Sequence, residues 1–199
     1  MGILNLTSNS FYDGGKYNNP EKILTQTKKM IDEGVNIIDI GAQSSRPGSD
    51  KISEDEELSK IIPALIEIRK YFPNVLISVD TYRAKVAEES INNGADIIND
   101  ISSGDLDKNM FSVIAKYKVP YIIMHMIGTP QNMQEHPTYN NVVEEIINYF
   151  QQKIKTLHDL GVDNLIIDPG FGFGKTLEHN YEILNNLEKF KCLKYPILV

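Results

Sequence analysis

GVNIID, at residues 34–39, recurs with small changes as GADIIN at residues 94–99 and as GVDNLIID at residues 161–168. A helical pattern precedes each copy, and the glycine stands where a helix ends in a left-handed residue. The isoleucine-rich run after the glycine lacks polar alternation, which is typical of a parallel strand covered on both faces. The repeat therefore predicts helices that alternate with buried parallel strands.

Six strands and the beginning of a seventh follow from this pattern. They are predicted at residues 3–6, 37–40, 76–79, 97–99, 121–124, 165–167 and 197–199. Helices are predicted between them, from residue 20 to a stop at Gly34, from Ser53 with an apolar stripe through Ile68, and at residues 82–93, 108–117, 141–160 and 176–189. In the second helix, Ser53 and Glu56 have the spacing of a capping box, and Pro63 predicts a kink or a broken first turn.

These units fit an α/β fold of the (β/α)8 TIM-barrel type better than a doubly wound sheet. No glycine-rich phosphate turn follows the first strand, whereas polar residues recur at nearly every strand end, where such barrels place their active sites. A complete barrel has eight strands and typically about 250 residues. We therefore expect residues 1–199 to be a single barrel domain that lacks its last helix–strand–helix portion.

The composition excludes several classes of protein. The 27 acidic residues outnumber the 20 basic ones, which gives a net charge of −7 and argues against a nucleic-acid surface. No apolar run has the length of a membrane span, and the first residues lack the pattern of a signal peptide. The single cysteine, Cys192, excludes a disulfide framework. We expect a cytoplasmic protein without a nucleic-acid or membrane partner.

Polar residues stand at the predicted strand ends. They are Asn5, Asp39, Asp80, Asn99, Asp100, His125 and Asp168. Carboxylates and amides suit a neutral ring with N–H donors, because a carboxylate accepts two parallel hydrogen bonds from a guanidine-like edge. Each residue taken alone is better explained as a strand cap, and Asp39 in particular as structural.

Three loops add patterns of their own. Residues 7–15 are long and polar, as in a loop that covers an active site or in a mobile connection. Arg46 supplies the cation nearest to the strand ends, either for a phosphate or in a solvated turn. DPGFGFGKT at residues 168–176 is not a P-loop, because Pro169 occupies the place of its first glycine. Its glycines allow close approach to a flat ligand, and Lys175 is available to an anion.

With these residues in view, the sequence resembles the dihydropteroate synthase family. The matching motifs occur in family order and span the chain. They are MGILNLT, SF and DGG within residues 1–15, DIG and SSRPG within 39–48, SVDT at 78–81, IND at 98–100, MHM and GTP within 124–130, and DPGFGFGK at 168–175.

The resemblance implies a reaction in folate biosynthesis. The family condenses 6-hydroxymethyl-7,8-dihydropterin diphosphate with 4-aminobenzoate to give 7,8-dihydropteroate and diphosphate. By this resemblance Asp80, Asn99 and Asp168 are catalytic and hold the pterin, and Asn5 places Mg²⁺ at the diphosphate. Further substrate-binding residues implied by it are Ser45, Arg46, Pro47, Met124, Phe173 and Lys175. The full-length family member is expected to be a homodimer.

The chain also departs from the family pattern. Ser8-Asn9 replaces the usual Pro-Asp, and Ala42-Gln43 replaces Gly-Glu. The Ser-Arg-Lys and Arg-x-His motifs, which bind pterin and diphosphate in the family, would lie beyond Val199. A barrel without its last strand also leaves strand edges unpaired, and such edges favour aggregation. We therefore expect these 199 residues alone to be poorly soluble or nearly inactive.

Two alternative functions stay open at this point. One is a non-catalytic, pterin-binding remnant, which the missing cationic motifs favour. The other is a barrel similar to the methyltetrahydrofolate–corrinoid methyltransferases. The motif SSRPG and the two loop motifs near the N-terminus favour the synthase over that relative.

Overall fold

A computed structural model of the protein describes residues 1–6, 20–43, 51–129, 132–133 and 137–199. The chain forms two compact units. The first comprises Met1–Ser44 and Asp50–Asn99, and the second comprises Ser45–Ser49 and Asp100–Val199. The prediction of a single domain over residues 1–199 stays a prediction.

The first unit alternates strands and helices as the repeat predicts. Its elements are β1 (Gly2–Asn5), α1 (Pro20–Asp32), β2 (Ile37–Gly41), α2 (Glu54–Tyr71), β3 (Leu76–Asp80), α3 (Ala84–Asn92) and β4 (Ile97–Asp100), of which the last residue belongs to the second unit. Strands β1 to β4 pair in parallel in chain order. The parallel arrangement predicted from the isoleucine-rich runs is confirmed.

The second unit continues the same alternation. Its elements are α4 (Met110–Tyr117), β5 (Tyr121–Met124), α5 (Val142–Asp159), β6 (Leu165–Asp168), α6 (Leu177–Asn185) and a 3-10 helix (Leu187–Leu193). Strands β5 and β6 are parallel. Ile197 forms a parallel bridge with Ile167, so the predicted seventh strand begins where the sequence placed it.

The repeated glycines end the helices that precede the strands. Gly34, Gly94 and Gly161 have φ values of +92°, +102° and +76°. This left-handed conformation costs a glycine little and strains other residues. The helix stops predicted from the repeat are therefore confirmed, and they set where each following strand starts.

The centres of strands β2 to β4 are buried on both faces, because Asp39, Ser78 and Ile97 on one face are at most 5% exposed. Strand β1 differs, since its Ile3 is exposed. The other face of β2 to β4 carries the continuous apolar set. Ile38, Ile40, Ile77, Val79 and Ile98 are all completely buried. Burial of each such side chain stabilises the fold by about 1.5–3 kcal/mol relative to exposure. The continuous apolar runs therefore indicate strands in the interior of the protein, not strands with one solvent-exposed face.

Helix α2 differs from its prediction in two respects. It continues through Pro63, so the predicted broken turn is wrong, whereas the kink stays a prediction. Ser53 caps it by accepting a hydrogen bond from the Glu56 amide at 3.1 Å. The Glu56 carboxylate pairs with Lys60 at 2.7 Å, so only the Ser53 half of the predicted capping box forms.

Several strands extend to their polar ends. Strands β2, β3, β4 and β6 each continue one residue beyond prediction, to Gly41, Asp80, Asp100 and Asp168. The polar residues at three of these ends, Asp80, Asp100 and Asp168, are therefore held by the ladder of strand hydrogen bonds. Among the described residues, no helix combines the length and apolar character that crossing a bilayer requires.

Candidate active site

The carboxyl ends of the first four strands form one row of residues. Asn5 pairs in register with Gly41, Gly41 with Asp80, and Asp80 with Asn99. Adjacent strands in a sheet lie about 4.8 Å apart. Three of the polar residues predicted from the sequence are thus brought to the same level of the first unit, separated only by one glycine.

Gly41 makes room for Asp80 within this row. A Cβ atom at Gly41 would lie 3.2 Å from Asp80 Oδ2 and 3.3 Å from Asp80 Cβ. Asp80 is partly exposed, whereas Asn99 is 9% exposed. The row therefore presents one accessible carboxylate beside a largely enclosed amide.

Asp39 orients the amide of Asn99. Its Oδ2 accepts a hydrogen bond from Asn99 Nδ2 at 3.2 Å, and Asp39 itself is 4% exposed. Burial raises the pKa of Asp39, an effect that the neighbouring Ser78 hydroxyl and the Asn99 amide oppose. With one N–H directed to Asp39, the Asn99 side chain has a defined orientation. The structural role predicted for Asp39 is consistent with these contacts.

Asp100 organises the loop that follows β4. It is completely buried and accepts hydrogen bonds from the Tyr121 hydroxyl at 2.7 Å and the Ser102 hydroxyl at 2.7 Å. The backbone amides of Ser102 and Gly104 each donate to it at 2.8 Å. This carboxylate is therefore occupied by the protein itself, which makes it a support of the loop rather than a ligand-binding group.

In the second unit, the ends of β5 and β6 bring Met124 and Asp168 together. The two residues are in register, and the His125 amide donates to the Asp168 carbonyl oxygen at 3.1 Å. Asp168 Oδ1 accepts a hydrogen bond from the Gly170 amide at 2.7 Å. The side chain of Asp168 is partly exposed, and Met124 is 3% exposed. One partly exposed carboxylate thus stands at a strand end beside a buried apolar side chain.

The glycine-rich segment after β6 folds into a turn. The Phe173 amide donates to the Gly170 carbonyl oxygen at 3.1 Å, and Phe173 is partly exposed. The Tyr139 hydroxyl donates to the Gly174 carbonyl oxygen at 2.8 Å. No sequence pattern pointed to Tyr139, because its contact spans 35 positions.

Lys175 is enclosed by this turn. It is 3% exposed, and its Nζ lies 3.0 Å from the His125 carbonyl oxygen, 2.9 Å from that of Gly170 and 2.9 Å from that of Phe173. Desolvation lowers the pKa of Lys175 to about 7, and the charge of Asp168 opposes this change. The sequence predicted an ammonium group available to an anion, but here the group faces backbone oxygens.

His125 is a buried residue of the second unit. Its Nδ1 lies 3.1 Å from Lys175 Nζ, and its ring packs edge-on against Tyr149 with ring centroids 4.9 Å apart. Burial, together with the charge of Lys175, lowers the pKa of His125 to about 3. The imidazole is therefore neutral near pH 7.

Three predicted substrate-binding residues lie outside the described residues. They are Ser45, Arg46 and Pro47. Asn5 is exposed at the end of β1. Its amide oxygen is of the ligand type that Mg²⁺ accepts beside phosphate oxygens and water.

The sequence profile of the family described as pterin binding enzyme matches residues 1–199. A similar protein is the dihydropteroate synthase of Clostridium beijerinckii, 46% identical over 100% of this chain and 72% of that protein. This agreement extends over both units.

Solved structures give the same result. This chain is similar to Yersinia pestis dihydropteroate synthase in a sulfonamide complex, with a TM-score of 0.91 and 41% identity over 100% of this chain and 72% of that one. It is also similar to the Clostridium difficile enzyme in the presence of pteroic acid, with a TM-score of 0.90 and 40% identity over 98% of this chain and 73% of that one. The predicted fold class is confirmed.

Proposed function

The chain belongs to the family of pterin binding enzymes and is of the dihydropteroate synthase type, and from that premise we propose how its residues act. Dihydropteroate synthases are transferases of folate biosynthesis. The proposed substrates are 6-hydroxymethyl-7,8-dihydropterin diphosphate and 4-aminobenzoate. The observation that supports the site best is the row of Asn5, Asp80 and Asn99 at one level of the strand ends.

The proposed chemistry is a substitution at the pterin methylene carbon. The amine nitrogen of 4-aminobenzoate forms a bond to this carbon, and the carbon–oxygen bond to the diphosphate breaks. The bonding electrons leave with the diphosphate, and the amine gives up one proton. Positive charge develops on the pterin methylene group, so nearby carboxylates lower the barrier. The amine is a weak base, and positioning it contributes more than a strong general base would.

Each carboxylate or amide has a proposed role toward the pterin. Asp168 and Asn99 accept and donate hydrogen bonds at its amino-pyrimidinone edge, and Asp80 adds a second carboxylate. The orientation of the Asn99 amide by Asp39 supports this role, because only one rotamer of the amide matches a given hydrogen-bonding edge. Met124 and Phe173 supply apolar contact surface to the flat rings.

The exposed amide of Asn5 fits one part of a Mg²⁺ site. Magnesium keeps several waters and takes ligands from substrate phosphates, so one protein oxygen is compatible with its coordination. When bound, the ion would neutralise charge on the departing diphosphate. Asn5 would hold it at the end of β1. Ser45, Arg46 and Pro47 are proposed to contact the substrates from their loop.

Calorimetry with 6-hydroxymethyl-7,8-dihydropterin diphosphate, with and without Mg²⁺, tests these roles. We expect Asp168→Ala to lose binding by at least tenfold, because a carboxylate that accepts hydrogen bonds contributes about 1.5–3 kcal/mol. Asp163→Ala is the matched control, since Asp163 is an exposed carboxylate just before β6. Binding of the pterin without dihydropteroate formation would indicate the non-catalytic alternative. A folded chain that binds no pterin would contradict the proposal.

A homodimer is the proposed assembly of the full-length protein. Helix α6 presents Leu177, Tyr181 and Leu184 at helical spacing, 66%, 59% and 50% exposed. An exposed apolar stripe of this kind supports association with a second copy. Sedimentation velocity of the wild type and of Leu184→Glu tests this assembly. A wild type that sediments as a monomer, like the variant, would contradict it.

A cytoplasmic location is proposed as well. Cys192 is an exposed free thiol, which suits a reducing compartment. Cell fractionation would test the location, and recovery with secreted proteins would contradict it.

A further inference from the structure

The ammonium group of Lys175 lies among three backbone carbonyl oxygens, with His125 Nδ1 as a fourth neighbour at 3.1 Å. Its Nζ lies within 3.0 Å of three backbone carbonyl oxygens, those of His125, Gly170 and Phe173. A lysine ammonium has three N–H donors and no acceptor. Each donor can therefore be assigned to one carbonyl oxygen.

These carbonyl oxygens belong to two separate segments of the second unit. Gly170 and Phe173 are the ends of the turn after β6, and this turn is closed by the Phe173 amide donating to the Gly170 carbonyl oxygen at 3.1 Å. His125 directly follows β5. Lys175 therefore joins the turn to the end of the neighbouring strand.

A second feature joins the same two segments. Gly170 has a φ of +73°, and a Cβ atom there would lie 2.1 Å from the His125 carbonyl oxygen. Only glycine allows the turn to approach the end of β5 this closely. The close approach at Gly170 and the hydrogen bonds of Lys175 thus lie at the same contact, that between the Gly170–Phe173 turn and His125.

We propose that Lys175 is a positioning residue whose ammonium group holds the Gly170–Phe173 turn against His125 and so fixes Phe173 for the binding of 4-aminobenzoate. This inference rests on the proposed function, in which Phe173 contacts the aromatic rings. It gives Lys175 a role through the backbone, in place of direct contact with the substrate anion.

Burial supports the positioning role over an anion contact. Lys175 is 3% exposed, and its neighbours within hydrogen-bond distance are the three carbonyl oxygens and His125 Nδ1 at 3.1 Å. An anion would have to displace a carbonyl oxygen from a charged donor. Such charge-assisted hydrogen bonds are about twice as strong as neutral ones, and buried carbonyl groups left without a donor are costly.

The test compares Lys175→Met and Lys175→Gln with the matched control Lys189→Met, an exposed lysine on the 3-10 helix. In the free protein, we expect hydrogen exchange of the Phe173 amide to become about tenfold faster or more in Lys175→Met, because charged hydrogen bonds are lost. Lys175→Gln retains two N–H donors, so its exchange rate should be intermediate. Lys189→Met should match the wild type.

Kinetics of the full-length protein give a second readout. In Lys175→Met the KM for 4-aminobenzoate should rise about tenfold, while the dissociation constant of the pterin diphosphate stays within about twofold of the wild type. The opposite pattern, weaker pterin diphosphate binding with an unchanged KM for 4-aminobenzoate, would assign Lys175 to the anion and overturn the inference. Unchanged exchange at Phe173 in a folded Lys175→Met variant would overturn it as well.

Gly170→Ala disturbs the same contact between the turn and His125 while leaving Lys175 in place. It should also speed exchange of the Phe173 amide, and it replaces Lys175→Met should that variant not fold. Exchange at Phe173 as slow as in the wild type would then overturn the inference. Failure of the proposed function is distinguishable, because it appears as a wild type without dihydropteroate formation, whereas the exchange measurement needs no substrate.

Discussion

At the scale of single residues, the buried carboxyl group of Asp39 accepts a hydrogen bond from Asn99 and also affects the dependence of stability on pH. Burial raises its pKa above the usual value, so the folded state binds more protons than the unfolded one just above pH 4 and stability falls as pH rises through the folded-state pKa. Asp39→Asn removes this charge and keeps an oxygen acceptor for Asn99. We expect its melting temperature to equal or exceed that of the wild type at pH 8, with a smaller difference at pH 4.

Thermal unfolding at the two pH values checks this expectation, with Asp39→Ala as the control that removes the acceptor. A melting temperature of Asp39→Asn several degrees below the wild type at pH 8 would contradict it. That result would mean that the ionised carboxylate itself stabilises the fold.

The hydroxyl group of Tyr121 supplies one of the hydrogen bonds to the buried carboxylate of Asp100. This hydroxyl is fully buried and donates to Asp100 at 2.7 Å. Tyr121→Phe removes a hydrogen bond to a charged acceptor and should lower the free energy of unfolding by about 1.5–3 kcal/mol. Tyr71→Phe, on the 55% exposed Tyr71 of α2, is the control and should change it little. Equal denaturant midpoints for both variants would show that Asp100 does not need this donor.

At the scale of elements, an ion pair joins the first turn of α2 to the start of α3. Arg83, the N-cap of α3, contacts the Glu57 carboxylate and donates to the Ile52 carbonyl oxygen at 2.6 Å. The side chain of Glu57 is 1% exposed, so removing its partner leaves a buried charge. Arg83→Met should therefore cost about 3–5 kcal/mol of unfolding free energy.

The double variant Arg83→Met/Glu57→Leu isolates the cause. Because it removes both charges, it should recover most of the stability lost in Arg83→Met. Chemical denaturation of the wild type, the two single variants and the double variant measures the coupling. A double variant that is no more stable than Arg83→Met would show that packing, rather than charge, holds α2 to α3.

At the scale of the whole molecule, two buried bases contribute to the dependence of stability on pH, with the opposite sign to Asp39. Burial lowers the pKa of His125 to about 3 and that of Lys175 to about 7. Between the folded and the unfolded pKa of each group, the unfolded chain binds more protons, so stability rises with pH. His125 contributes this rise from about pH 3 to pH 6.5, and Lys175 contributes it above pH 7.

His125→Gln should flatten the acid side of this profile. The free energy of unfolding of the wild type should fall by a few kcal/mol between pH 6.5 and pH 3, and less in the variant, which has no imidazole to protonate. Urea denaturation at a series of pH values gives, for each protein, the slope of the unfolding free energy against pH. Parallel slopes would show that groups other than His125 cause the loss of stability in acid.

Much of this architecture could be predicted from local sequence. The glycine that ends a helix and the isoleucine run that follows act over a few residues, so the order of strands and helices and the parallel pairing were predictable. The strand-end residues Asp80, Asn99 and Asp168 followed from the same pattern, because each run stops at its polar residue. Whether Ser45, Arg46 and Pro47 bind substrate stays a prediction.

Tertiary structure alone decided which partner each polar group meets. Asn99 meets Asp39 across 60 positions and Lys175 meets the His125 carbonyl oxygen across 50, distances over which no local pattern carries information. The sequence Gly174-Lys175-Thr176 does not distinguish a lysine that faces an anion from one that faces the backbone. Helix α2 likewise continues through Pro63, so the alternative of a broken turn was wrong, and the kink stays a prediction. Sequence therefore determined the elements and their polar ends through local interactions. Packing determined the direction of each buried side chain, because a buried polar group is costly unless the surrounding structure supplies a hydrogen-bond partner.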